Sequence, residues 1–138
     1  MTATQMWGGL CAVGLMVLGG LAYVKARSGV KRIGMVIRLK PDKVAEYKRL
    51  HADSHPGVRD LLSQANIRNF SIFLRQLDDG QYYLFGYYEY TGTNYDADMA
   101  KLAAEPRHKE WLSTAGPMQS PVEGETTWAM MEEVYHNQ

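Results

Sequence analysis

Cysteine is nearly absent from this chain. Cys11 stands alone among 138 residues, so no internal disulfide or thiolate metal cluster can form. The sequence also has no glycine-rich phosphate loop, no His/Glu zinc motif and no nucleophile elbow, which removes the commonest nucleotide, zinc-hydrolase and serine-hydrolase chemistries. Net charge is missing as well, with 15 basic against 15 acidic side chains. The only basic cluster is Lys25, Arg27, Lys31 and Arg32, so nucleic acid is excluded as an expected partner. Charge of either sign is lacking from the first 24 residues.

That uncharged opening contains an apolar run from Trp7 to Val24. As a helix rising 1.5 Å per residue it would extend roughly 27 Å, close to the thickness of a hydrocarbon core. A secretory signal peptide places basic residues before its apolar core, whereas here they follow it. The asymmetry predicts a retained anchor with its N-terminus outside and the following domain in the cytoplasm. The expected organisation is a short extracytoplasmic tail at 1–6, a transmembrane helix at 7–24, a basic juxtamembrane linker at 25–30 and one domain at 31–138. Trp7 and Tyr23 are placed to sit at the two headgroup levels. Gly8, Gly9, Gly19 and Gly20 would let a neighbouring helix approach, with Lys25 and Arg27 meeting partner acids or lipid phosphates. The implied location is a single-pass inner or plasma membrane protein.

Periodicity organises the remainder. KRIGMVIRL alternates as a strand. Pro41 and Asp42 suit the first turn of a helix, which continues through DKVAEYKRLHADSH, breaks at Pro56-Gly57 and resumes as VRDLLSQA. IRNFSIFLRQ and YYLFGYYEY are strands joined across an Asp79-Gly80 turn. NYDADMAKLAAEPRHKEWLST is helical with a restart at Pro106, GPMQSPVEGE is a loop, and TTWAMMEEVY is a closing strand. The expected class is α+β, a ferredoxin-like βαββαβ antiparallel sheet preceded by the transmembrane helix. Trp128, Met130, Phe70 and the Tyr82–Tyr90 strand offer more apolar surface than two short helices can hide, so a homodimer or hetero-oligomer is expected.

One stripe carries candidate chemistry. Tyr47, His51 and His55 are four apart and share a helix face. An imidazole can give or take a proton near neutral pH, and a phenol one turn away can orient it or a sugar hydroxyl. His108 and Trp111 are three apart on the second helix. Isolated histidines of this kind do not form a metal site, and no cofactor is expected.

At these residues the chain resembles the L-rhamnose mutarotase family, through KRIGMVIRLKPDKVAEYKRLH, NIRNFSIFLR, YYLFGYYEY, AAEPRHKEWL and WAMMEEVYHN. The resemblance implies a dimeric α/β-barrel of ferredoxin-like type that interconverts anomers of a deoxy sugar without cofactor or metal. It implies His51 as the proton-transferring group and Tyr47 as a sugar contact. A second substrate tyrosine of the family falls on Phe70, and a tandem tryptophan pair falls on Trp111 and Leu112. Phe70 keeps the ring without the hydroxyl, and Leu112 keeps bulk without the indole.

Sugar anomerisation has no need of a membrane, whereas an anchor holds a docking module beside a membrane partner. The sequence reading therefore favours a single-span accessory subunit of an integral membrane complex, with membrane proteins and lipids as partners. The alternative is a membrane-anchored mutarotase acting on L-rhamnose or a related deoxy sugar through His51.

Overall fold

A computed structural model describes residues 29–137. Strand β1 (Lys31–Leu39) lies at the centre of the sheet and buries Ile33, Met35, Ile37 and Leu39 on one face, as a period of two requires. It pairs antiparallel with β3 (Tyr82–Tyr90) along its whole length. On its other side it meets two short strands, β4 (Gln119–Ser120) at one end and β5 (Ala129–Met131) further along. Strand β2 (Ile67–Gln76) forms the outer edge against β3, so the order is β2-β3-β1-β4 with β5 also on β1.

Helices α1 (Val44–Leu50) and α2 (Arg59–Gln64) connect β1 to β2, and α3 (Tyr95–Ala104) and α4 (Pro106–Ala115) connect β3 to β4. Their ends follow local chemistry. A 3-10 turn at Pro41–Lys43 leads into α1. Asn66, at φ 61°, takes the left-handed position that ends α2. The Asn94 side chain caps α3 by accepting from the Ala97 N–H at 3.1 Å. Pro106 opens α4, where its missing N–H is not needed.

The helices cover one face of the sheet. Tyr47 and Met118 pack with Ile37, Leu39 and Leu84, while Val58, Leu61 and Leu102 pack with Ile33, Met35, Ile67 and Tyr88. Trp128 lies against both groups. Gly86 leaves room for this, because a Cβ there would stand 2.8 Å from Met35 Cε and 3.3 Å from Trp128 Cζ3.

Several expectations need correction. The predicted transmembrane helix at 7–24, with Trp7, Gly8, Gly9, Gly19, Gly20, Tyr23, Lys25 and Arg27, lies outside the described residues. Among the described residues no helix is long and apolar enough to cross a membrane. The longest have 10 residues, about 15 Å of rise against a hydrocarbon core of about 30 Å. The fold with a transmembrane helix therefore gives way to a curved antiparallel sheet with helices, a half-barrel. The single-pass inner or plasma membrane topology has no support in it either.

Two elements also differ. The predicted closing strand shrinks to Ala129–Met131, and a second short strand arises at Gln119–Ser120, inside the stretch read as loop. Pro121 supplies no N–H, so the ladder cannot continue through it. Helix α1 stops at Leu50 instead of running to Pro56. Phe70 and Trp128, counted as surplus apolar surface, instead line a cavity beneath the helices.

Leu39 and Leu84 are each only 1% exposed. Leu84→Ala should cost about 2–5 kcal/mol in urea or thermal unfolding, through lost contacts and the cavity left behind. Val134→Ala, at a side chain 88% exposed, should stay within about 0.5 kcal/mol of the parent.

Candidate active site

The cavity opens between the helices and the sheet, where Met35 of β1 and Ile67, Phe70 and Ile72 of β2 line it, and has a volume of about 560 Å³. That lies within the range of roughly 300–1,000 Å³ usual for small-molecule sites. All five residues singled out by the resemblance, Tyr47, His51, Phe70, Trp111 and Leu112, line it.

The centre of the site is the end of α1. His51 is the residue at which the helix stops, and its backbone N–H reaches the Tyr47 carbonyl at 3.1 Å. Its ring Nδ1 lies 2.8 Å from the same oxygen. A carbonyl only accepts, so Nδ1 carries the proton and Nε2 keeps a free lone pair. The Tyr47 ring stacks on the imidazole with centroids 4.0 Å apart, and the Trp111 indole meets it edge-on at 5.1 Å. Burial lowers the His51 pKa, the Tyr47 carbonyl opposes this, and the Arg59 and His55 charges push the same way as burial. The imidazole is therefore neutral at pH 7 and able to accept a proton.

Tyr47 is 5% exposed, and burial pushes its phenol up to about 12, so it stays protonated. Its hydroxyl has the Gln119 amide at 3.4 Å. Gly57, at φ +53°, brings the loop after α1 against the indole, where a Cβ would lie 3.5 Å from Trp111 Cζ3. His55 is not on the helix. Its Nδ1 accepts the Gly57 N–H at 3.2 Å, and its ring stands 5.7 Å from Trp111.

Phe70 reaches the cavity because β2 is irregular. The register runs from Arg68↔Glu89 to Ser71↔Tyr87, leaving Asn69 and Phe70 opposite Tyr88 alone. This is a bulge of two residues against one. Asn69 takes the left-handed conformation at φ 52°, which asparagine tolerates, and is tied to Glu89 at 2.8 Å. Phe70 meets Tyr88 edge-on at 5.5 Å.

Sequence reasoning missed Arg59, Arg68, Asn69 and Gln119 as lining residues and treated Trp128 as packing. Nothing in the spacing marks them, although an asparagine inside a strand pattern is a residue type that tolerates the left-handed conformation of a bulge. His108 also lines the cavity, and its Nδ1 is buried without a hydrogen-bond partner. Among the described residues no three His, Cys, Asp or Glu side chains gather as metal ligands.

An antiparallel half-barrel enclosing an aromatic-walled cavity, with two half-buried imidazoles in its lining, defines a class of small-molecule-binding α+β domains. The sequence model of L-rhamnose mutarotase matches residues 32–137, and the chain belongs to that family. It is 31% identical over 105 residues to an L-rhamnose mutarotase of Mannheimia succiniciproducens, covering 76% of this chain and 96% of the relative. It is 32% identical over 104 residues to one of Sinorhizobium medicae, covering 72% of this chain and 91% of the relative. The crystal structure of an L-rhamnose mutarotase from Formosa agariphila superposes with a TM-score of 0.57 at 22% identity, covering 78% of this chain and 99% of that one, a likeness of fold. These findings overturn the reading as an accessory subunit of an integral membrane complex with membrane proteins and lipids as partners. That reading rested on the apolar run at 7–24 and the basic residues that follow it, while the family covers the domain itself.

Burial lowers the pKa of both His51 and His108 from 6.5. The unfolded chain then binds more protons than the folded one just below that pH, so stability falls as pH drops through 6.5. Urea midpoints between pH 7.5 and 5.5 should decline, and His108→Leu should flatten that slope.

Proposed function

We propose that this domain interconverts the anomers of L-rhamnose or a closely related deoxy sugar without a cofactor, with His51 as its proton carrier. The observation behind the reading is the His51 imidazole itself, which lines the cavity with Nδ1 tied to the Tyr47 carbonyl. Membership of the family supports the substrate class.

The chemistry balances within one residue. The Nε2 lone pair takes the proton of the anomeric hydroxyl. The C1–O1 bond becomes a carbonyl as the ring C–O bond breaks, and the released electron pair stays on the ring oxygen. That oxygen then receives the proton back from Nε2. Rotation about C1–C2 presents the other carbonyl face, and closure reverses each transfer. No net proton or electron is exchanged, and a neutral imidazole near its working pH suits both directions.

Tyr47 orients the imidazole twice, through its carbonyl and through the stacked ring. Its hydroxyl, held as a neutral phenol, can donate to a sugar oxygen. Trp111 supplies a flat wall for the apolar side of the pyranose. Phe70 and Leu112 complete the walls without hydrogen bonds, so polar selection by this site rests on fewer donors than the family pattern has.

The domain should speed equilibration of a freshly dissolved single anomer of L-rhamnose or L-fucose, followed by NMR. His51→Ala should lower that acceleration by about 10²–10⁴-fold while the protein stays folded. A folded sample that accelerates none of several deoxy sugars would remove this function. Phe70→Tyr combined with Leu112→Trp should raise the rate or the affinity by returning a hydroxyl and an indole to the walls.

A further inference from the structure

The stretch from His51 to Val58 has no regular structure, yet it begins with the imidazole on which the site depends. Irregular connections are ordinarily the mobile parts of a domain. Here one side chain holds three of its carbonyls. Arg59, the first residue of α2, donates through Nη2 to the His51 carbonyl at 3.0 Å and the Ala52 carbonyl at 3.3 Å. Through Nη1 it donates to the His55 carbonyl at 2.7 Å. The Asp53 carboxylate lies 3.5 Å away, with its side chain fully in solvent. Helix α1 has only 7 residues, and the last carbonyls of a helix have no partner within it. A cation at that end also meets the negative pole of the helix.

We propose that Arg59 is the positioning residue of this site, its guanidinium clasping three carbonyls so that the turn carrying His51 keeps the imidazole aimed into the cavity. The planar fork is what permits this, since one lysine ammonium cannot span the same set of acceptors with fixed geometry. Arg59 also lines the cavity, so its charge acts on His51 directly. It opposes protonation there, as does His55 from the same loop, while the Tyr47 carbonyl favours it. From the other elements His51 meets the uncharged rings of Tyr47 and Trp111, and His108 of α4 lines the same cavity. A loop clasp and a charge that adds to burial in disfavouring protonation of the base are thus joined in one side chain. The rate consequences rest on the mutarotase reading, but the consequences for the His51 titration do not.

The test compares the full chain with Arg59→Gln and Arg59→Lys, reading His51 by NMR titration alongside anomer equilibration. Arg59→Gln removes the charge, so the His51 pKa should rise and the acid limb of the rate profile should move to higher pH. Arg59→Lys keeps the charge and should leave the titration near that of the parent. It should still lower kcat by roughly 10–10²-fold with little change in KM, because the fork is lost and the imidazole is misplaced. An unchanged His51 titration in folded Arg59→Gln would overturn the electrostatic half. An Arg59→Lys protein as fast as the parent would overturn the positioning half. If the parent protein accelerates no sugar, the mutarotase reading fails, while the NMR titration and the Nδ1–H tautomer in the three proteins still decide the role of Arg59.

Discussion

The Tyr47 carbonyl governs the site. At the frayed end of α1 it accepts both the backbone N–H of His51 and the ring N–H of the same residue. A carbonyl deeper in a longer helix would be one link in a regular ladder, with its neighbours equally committed. Here the ladder stops, and the last turn converts a free carbonyl into a tautomer lock. The lock leaves Nε2 as the only ring nitrogen able to take a proton. Burial then keeps the ring neutral, and the stacked phenol and edge-on indole restrict how it can rotate.

The sheet supplies the rest by breaking its own regularity. Without the bulge at Asn69 and Phe70, the residues of β2 on one side of it would exchange faces. With it, Ile67, Phe70 and Ile72 all contribute to the cavity while Ser71 and Phe73 turn to the opposite face. Gly86 has a comparable effect on β3, since any side chain there would displace Met35 or Trp128. The floor of the cavity is therefore shaped as much by missing or diverted side chains as by the aromatic ones that form its walls.

On the proposed mutarotase reading, the chain retains a proton-carrying imidazole and alters the walls around it. Tyr47, His51 and Trp111 line one cavity, with ring centroids 4.0 Å apart for Tyr47 and His51 and 5.1 Å apart for His51 and Trp111. Phe70 and Leu112 occupy the remaining positions with shape but without polar atoms. On that reading a site altered in this way would change its selectivity before its chemistry, because removing donors weakens recognition of particular hydroxyls without removing the imidazole. His108, noted in the sequence only for its spacing from Trp111, adds a buried nitrogen that lacks a partner.

Three strand segments and the turn at Asp79-Gly80 were legible in the sequence, because alternation in β1 and β3 and a glycine at φ 77° are local properties. The pairing of Tyr47 with His51 was legible for the same reason, since a four-residue spacing survives even when a helix ends at the second member. The apolar run at 7–24 was legible as composition and gave a membrane reading that the domain's own relatives did not support. The clasp of Arg59, the bulge that turns Phe70 inward, and the division of the last strand between Gln119–Ser120 and Ala129–Met131 belong to the tertiary structure. Each depends on atoms brought together from distant parts of the chain, or on a carbonyl whose partner is a side chain. No periodicity encodes such contacts, so the residues that could transfer a proton were visible in the sequence, while those that aim and enclose them became visible only once the chain had folded.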